Sequence, residues 1–347
     1  MDRYYYNGNR LLSMKDSRRR KPFIYIVESN RDDGKTTYFV RKLVNDYLNY
    51  GKKFVKLTRF RTNLDDGADK MLGKVLPKFY DGLSYDYEIS SDKLYGKVYI
   101  NGEFCGFILP ISGAAAIKDS WQLFTGTSHM FLDEFQSETN EYVKDETTKL
   151  ISIQKSLSKQ CDSSDHYLPL YMAGNLITLL NPYYIDMGIS DRIQTNTKFL
   201  KGDGYVLERH YNDTAAHEAE DNGFLRAFSR NKYVTQMTEQ IYLNDTNTFI
   251  ERPSGRREYI ATIRNGGQDY AVYLCYDAGV VYCSQEVDYS FPRKIAITTE
   301  DQKINYVILK NSSNFISLMR WYFQNGCFRF RNMKCKSTIF KLLCFRG

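Results

Sequence analysis

The chain has no run of eighteen or more apolar residues, so a helix spanning a membrane is not expected. Its opening, MDRYYYNGNR, lacks the apolar stretch of a secretory signal, and export is not expected either. Histidines number only 4, too few for a His-rich metal centre. The 7 cysteines are odd in number and scattered, with no CxxC pair and no His-containing metal spacing. They read as the reduced thiols of a cytoplasmic protein. Internal repeats and low-complexity tracts are missing too. Acids are absent from one region: after Asp301 come Lys303, Lys310, Arg320, Arg329, Arg331, Lys334, Lys336, Lys341 and Arg346, without a single Asp or Glu.

What is present suits a globular protein of about two domains: 347 residues, 42% hydrophobic and 26% charged. The 29 Tyr and 21 Phe supply ample material for a core. Net charge is +7, and Arg18-Arg19-Arg20-Lys21 forms a second basic cluster besides the C-terminal one. Such a field favours a polyanionic partner, most economically nucleic acid; a solvated basic face is the plainer alternative.

Pattern along the chain points to an α/β protein. Pro22–Val27 (PFIYIV) is a short β-rich run of the kind found in buried parallel strands. After Gly34, Val40, Leu43, Val44, Tyr47 and Leu48 recur at helical spacing until Gly51 stops the helix. Phe54–Leu57 is a second strand, which completes a βαβ unit. Asn101-Gly102 between two apolar runs predicts a hairpin. An apolar strand His129–Leu132 runs into Asp133-Glu134, a helix is expected over about 143–158, and Tyr167–Ala173 is a further buried strand ended by Gly174-Asn175. From Asn181 to about Asp245 the signal weakens and turns polar, as in a linker or lid. Beyond Thr246, strands at Tyr259–Ile263, Tyr270–Leu274, Val280–Tyr282 and Tyr306–Leu309, then a helix near Ile316–Phe323, fit an RNase H-like α/β domain.

Two segments carry the chemistry. A full phosphate loop reads G-x-x-x-x-G-K-[ST]. Here the frame is Ser29-Asn30-Arg31-Asp32-Asp33-Gly34-Lys35-Thr36, followed by Thr37, with Ser in place of the leading Gly. Gly34 still lets the backbone curl, and amides at the following helix start still point at an anion. Asp32 and Asp33 must face away from a triphosphate or be offset by Arg31. A Gly-Lys-Thr tripeptide also arises by chance; the strand before it and the helix after it favour a phosphate site. Asp133-Glu134 reads as a surface turn in isolation. Placed on a neighbouring parallel strand, Asp133 would hold Mg²⁺ and Glu134 would orient the attacking water. Asn175 either senses the γ-phosphate or serves only as a turn residue.

With these residues in view, the chain resembles the DNA-packaging ATPases of small podophages of the phi-29 group, compact relatives of large terminase subunits. The likeness runs collinearly through Tyr6-Asn7, Arg31, Gly34-Lys35-Thr36, Val98–Gly102, Ile108–Ser112, Leu132–Phe135, Asn175, Asn181-Pro182-Tyr183, Phe249-Ile250-Glu251 and Thr298–Asp301. It implies an ASCE-type P-loop ATPase domain over 1–184, a small linker or lid over 185–245, and over 246–347 an RNase H-like domain whose nuclease activity has been lost. It implies ATP and Mg²⁺ as cofactors and a homomeric ring, five subunits by the resemblance, translocating double-stranded DNA. That ring would act in the host cell cytoplasm, docked transiently on the portal of a prohead, with packaging RNA as a further acidic partner.

By the same resemblance Lys35 and Thr36 bind phosphates and Mg²⁺, Asp133 is the Walker B carboxylate and Glu134 the catalytic base. Asn175 falls where hydrolysis couples to movement, and Asn9 where an adenine-contacting Gln would stand. The family's arginine finger, acting in trans, maps to Lys159, with Lys155 one turn before it. A Lys neutralises phosphate charge without the planar fork of Arg.

The expected first strand of the C-terminal domain contains no acid, and Asp277 and Asp288 lack a partner there, which argues against two-metal cleavage. A ring motor grips backbone rather than bases, so Arg59, Arg61 and Lys56, in and after the second strand, are the candidate DNA contacts. Two other functions fit less well: a terminase that also cuts DNA, and a scaffold whose nucleotide site has decayed.

Overall fold

A short helix, α1 (Asn9–Ser13), precedes strand β1 (Ile24–Ser29), which grows out of the apolar run after Pro22. Gly34 then adopts a left-handed φ of 87° and opens α2 (Lys35–Tyr50), and Gly51 closes that helix at φ 65° with its N–H on Tyr47 O. Strand β2 (Lys53–Thr58) follows. Three short helices, α3 (Gly67–Leu72), α4 (Leu76–Phe79) and, after the next strands, α5 (Ala114–Asp119), pad the sheet. Between them β3 (Tyr85–Ile89), β4 (Gly96–Ile100) and β5 (Glu103–Pro110) run antiparallel, and β4 and β5 meet at Asn101-Gly102. Both turn residues have positive φ, 50° and 78°, as the two-residue hairpin expected from the sequence requires.

Strand β6 (Thr127–Asp133), helix α6 (Glu146–Ser158), strand β7 (Leu170–Asn175) and helix α7 (Pro182–Asp186) complete the next crossover. Strands β8 (Phe199–Gly202) and β9 (Tyr205–Arg209) then join the same sheet, followed by α8 (Asp213–Asp221) and α9 (Gly223–Ala227). The strand order is β3-β4-β5-β2-β6-β7-β1-β9-β8. Strands β5, β2, β6, β7, β1 and β9 are mutually parallel. Two sheet strands thus lie within the polar stretch read as a linker or lid. Glu208 and Arg209 disguise β9 in the sequence, yet both are buried.

The central strands are covered on both faces, as parallel strands are. Tyr25, Val27, Phe54, Phe131 and Tyr171 pack with Phe39, Val40, Leu43 and Val44 of α2. Their neighbours Ile26, Val55, Met130, Leu132 and Met172 point the other way, onto Leu150, Ile153 and Leu157 of α6 and Tyr183 and Tyr184 of α7. Each such side chain contributes about 1.5–3 kcal/mol through burial. This helix–sheet–helix layering leaves the strand ends as the places where polar loops gather.

The computed structural model describes residues 6–344 except 140, 160–165, 180, 191, 194–196, 232, 236–248 and 311–312. Within it the chain forms two compact units, Met1–Asp245 and Thr246–Gly347. In the second, β10 (Arg257–Asn265), β11 (Gln268–Cys275) and β12 (Val280–Ser284) make the expected antiparallel meander. Strand β13 (Lys294–Ala296) adds parallel to β10, and β14 (Phe328–Phe330) parallel to β12. Helices α10 (Asn314–Gln324) and α11 (Met333–Cys344) bury Ile316, Met319 and Ile339 against this mixed α/β sheet. Ser313 caps α10 by accepting from Ile316 N–H. One expected strand is corrected: Tyr306–Leu309 forms only isolated bridges, Val307 to Ile295 and Tyr306 to Lys303, and β13 takes its place in the sheet. Val307 and Ile308 are apolar yet exposed, which a hydrophobic run by itself does not reveal. Among the described residues no helix is long and apolar enough to cross a membrane.

Candidate functional site

Strands β6, β7 and β1 are consecutive neighbours, so Asp133, Asn175 and Ser29 end side by side. Ser29 and Asn175 are paired directly in register. From Ser29 the backbone turns through Asp32 (φ 58°) and Gly34 into α2, whose first residues are Lys35, Thr36 and Thr37. Lys35 is buried, and its Nζ donates to Ser29 Oγ (2.7 Å), Asn30 O (3.0 Å) and Asn175 Oδ1 (3.3 Å). Burial pushes its pKa down to about 8, against the pull of Asp33, Asp133 and Asp32. Thr36 Oγ1 donates to Asp133 Oδ1 over 2.9 Å, and the same oxygen accepts from Glu134 N–H at 3.2 Å.

Glu134 follows at φ 52°, a left-handed conformation that a Glu adopts only when its surroundings hold it there. Desolvation and the Asp133 and Glu138 carboxylates raise its pKa, opposed by Lys56 and Arg31. The side chain nonetheless keeps an exposed surface. Phe135 pins the turn: a Cβ on Gly174 would come within 2.7 Å of its ring, so the glycine of β7 makes room for it.

The two loop aspartates behave differently. Asp32 is exposed. Asp33 is buried, with His210 Nδ1 2.9 Å from its Oδ2. Burial alone would raise the Asp33 pKa, but His210 and Lys35 outweigh it and lower it. Arg31 is not the counter-ion; its guanidinium pairs with Glu138 and lies 4.3 Å over the Tyr233 ring. Asn30 ties the loop to the segment after β9, accepting from Asn212 N–H (3.0 Å) and donating to Asn212 O (3.1 Å). Asn9 sits beside the first turn of α2, where Tyr38 Oη donates to its Oδ1 at 2.7 Å.

Other expected residues lie elsewhere. Helix α6 starts beyond the C-terminal end of β6 and runs back to the start of β7, so Lys155 and Lys159 lie at the opposite end of the strands from Lys35. Lys159 is exposed, its Nζ 5.9 Å from the Trp121 ring centre. Arg59 turns inward. Its Nε faces both oxygens of buried Glu146 (3.1 and 3.0 Å), and NH2 donates to the carbonyls of Glu134 (3.4 Å) and Phe135 (2.9 Å). Its Nε and NH2 donors are spent on the protein rather than offered to a phosphate. Lys56 is also buried, 5.5 Å from the Phe131 ring centre. Arg61 alone of the three is exposed, on the turn after β2. His210 and Glu146 were not legible as site residues, since they meet their partners 177 and 87 positions away.

In the C-terminal unit the first strand begins two residues before the expected start, at Arg257, and so includes Glu258, which accepts from Tyr276 Oη. Asp269 pairs with Arg264, Asp301 accepts from the N–H of Gly266 and Gly267, and Asp277 accepts from Arg256 N–H. Asp288 accepts from Ser290. Among the described residues, no three His, Cys, Asp or Glu gather to hold a metal.

A family model described as Podovirus DNA encapsidation protein (Gp16) matches residues 1–346. The DNA packaging proteins of Bacillus phage PZA and Bacillus phage phi29 are each 20% identical to this chain over 343 residues, covering 97% of it and 96% of theirs. Among solved structures, a chain of the bacteriophage Phi-29 viral genome packaging motor assembly superposes with a TM-score of 0.64 at 19% identity, over 98% of this chain and 99% of that one. A chain of the Phi-28 gp11 DNA packaging motor gives 0.64 at 14% identity, over 99% and 98%. The whole-length match and the shared fold lead to one statement: the chain belongs to the podovirus DNA encapsidation protein (Gp16) family.

Proposed function

We propose that this protein is an ATP-hydrolysing motor that drives double-stranded viral DNA into a prohead. One observation carries the reading: Lys35, Thr36, Asp133 and Glu134 converge at the ends of adjacent parallel strands. The donor set fits a magnesium nucleotide. A buried ammonium and the amides opening a helix of 16 residues suit phosphate, and a hydroxyl paired with one carboxylate suits Mg²⁺, which is rarely caged by protein alone. When bound, Mg²⁺ neutralises charge on the phosphates.

In this reading Lys35 leaves its three oxygen acceptors for the β- and γ-phosphates, with Ser29 and Asn30 as its resting partners. Thr36 and Asp133 hold the metal. Glu134 orients the attacking water and takes its proton, its basicity strengthened by the raised pKa. Asn175, touching Lys35, reports the state of that site to β7. Loop residues Arg31, Asp32, Asp33, Gly34 and Thr37 wrap the phosphates, and Asn9 meets the base. Lys159, remote from its own loop, serves a neighbouring subunit of a ring, taken as a pentamer.

Arg61 is the exposed candidate for gripping DNA backbone. The lid or linker starts after β9 rather than at residue 185, and the C-terminal unit, its acids already engaged by protein donors, binds rather than cuts. Its basic end suits packaging RNA or the portal, in the cytoplasm of the host. The test is ATPase activity against protein concentration, with and without DNA and Mg²⁺. Turnover should climb as subunits assemble and climb further with DNA; a chain inert under all these conditions would sink the reading.

A further inference from the structure

Gln136 stands two residues beyond Glu134, is 3% exposed, and is bonded at both ends of its amide. Its Oε1 accepts from the N–H groups of Ile177 (3.1 Å) and Thr178 (2.9 Å), just past Asn175. Its Nε2 donates to Glu28 Oε2 at 2.8 Å. The orientation is forced, because backbone amides only donate and a carboxylate only accepts. Glu28 precedes Ser29 on β1 and is fully buried. It also accepts from Tyr184 Oη (2.7 Å) and forms an ion pair with Arg209 of β9 (Nε–Oε1 3.0 Å). Glu28 O accepts from the N–H of His210, the residue that faces Asp33.

One polar network therefore joins four elements of the site: the strand leading into the phosphate loop, the exit of β6, the exit of β7, and β9. It is set in an apolar layer containing Ile26, Phe135, Tyr184 and Leu207. A buried ion pair is a poor way to stabilise such a layer, since well-packed hydrophobic residues do as well or better. What a hydrogen-bonded network supplies instead is a single geometry. That matters because Glu134 sits in a left-handed conformation, which persists only where its neighbours over-determine it.

We propose that Gln136 is a positioning residue for hydrolysis. Its amide locks the exit of β6 to Glu28 and to the 177–178 backbone, and so sets where the Glu134 carboxylate stands relative to Lys35. This rests on the ATPase reading above. It makes Gln136 a residue that governs turnover without touching nucleotide.

Gln136→Glu keeps an acceptor for Ile177 and Thr178 N–H but sets a carboxylate against Glu28, breaking one link only. Gln136→Leu breaks both. The expected result is a fall in kcat of about tenfold or more for each, with KM for ATP and the affinity for a fluorescent ATP analogue changed by less than about threefold. Amide hydrogen exchange at 177 and 178 should quicken in Gln136→Leu and stay slow in Gln136→Glu. The double variant Glu28→Gln/Gln136→Glu restores a donor–acceptor pair with the same total charge and should recover most of kcat. If both single variants turn over like wild type while their melting temperatures fall, Gln136 is merely structural and the proposal is wrong. A folded double variant that recovers nothing also overturns it. Wild type measured alongside separates the two ideas: its failure to hydrolyse ATP would refute the ATPase reading and this inference together, whereas normal wild-type turnover matched by the variants refutes this inference alone.

Discussion

Thr36 Oγ1 and Asp133 Oδ1 lie 2.9 Å apart although 97 positions separate them in the chain. The hydroxyl at the start of α2 is thereby aligned with the carboxylate at the end of β6. Mg²⁺ held by this pair would need both the hydroxyl oxygen and the negative charge. Asp133→Asn keeps an acceptor for Thr36 but removes the charge. Nucleotide affinity measured with and without Mg²⁺ should show a clear Mg²⁺ enhancement in wild type and almost none in the variant. An undiminished enhancement would move the metal elsewhere.

Glu134→Gln removes the proposed proton acceptor and leaves the turn's backbone contacts in place. Hydrolysis should drop by about 100-fold or more, the span expected for loss of a general base, with ATP binding retained. Steady-state turnover beside equilibrium binding decides it; a variant as active as wild type refutes the assignment.

Lys159 and Lys35 sit at opposite ends of the parallel strands, so any shared catalytic role must join two chains. Lys159→Ala should cut the activity of assembled rings severalfold and leave dilute monomers unchanged. Equal losses at both concentrations would exclude action in trans.

Arg59 and Arg61 should respond in opposite ways. The Arg59 side chain is 15% exposed and its partner Glu146 is 0% exposed, so Arg59→Ala strands a buried carboxylate at a cost of about 3 kcal/mol or more. Denaturant unfolding should record that loss. Arg61→Ala should leave stability alone and weaken DNA stimulation, most at low salt, with a shallower salt dependence than wild type. A stable Arg59→Ala protein would show that the inward pairing counts for little.

His210 should make the loop before α2 sensitive to pH. Burial works against its charged form, but Asp33 and Glu208 outweigh burial and raise its pKa above the ordinary 6.5. A raised folded pKa means the His210–Asp33 contribution is complete below 6.5 and disappears as pH climbs through the elevated value. The melting temperature of wild type should therefore exceed that of His210→Gln most at about pH 6 and least at about pH 9. A gap independent of pH would mean that no charge is involved.

Much of the N-terminal sheet was legible because its signals are local. A strand, a glycine and an amphipathic helix occupy one continuous stretch, and so does the apolar run that ends in Asp133 and Glu134. The Asn101-Gly102 hairpin was legible for the same reason. Strand β9 was not, because Glu208 and Arg209 look like surface residues until Tyr6 Oη donates to the one and Glu28 of β1 pairs with the other. Nor was the loss of Tyr306–Leu309 as a strand, since exposure depends on what the rest of the domain covers.

By itself the sequence determined which chemical groups are available and on which elements they ride: Lys35 and Thr36 opening a helix, Asp133 and Glu134 closing a strand. Only the tertiary structure decided which charges are free to act. Arg59 is consumed by Glu146, Asp33 is answered by His210 rather than Arg31, and Gln136 is held between Glu28 and the backbone beyond Asn175. The reason is physical. A side chain's charge and hydrogen bonds depend on what lies within a few ångströms, and for these residues that neighbourhood is set by the order of strands in the sheet.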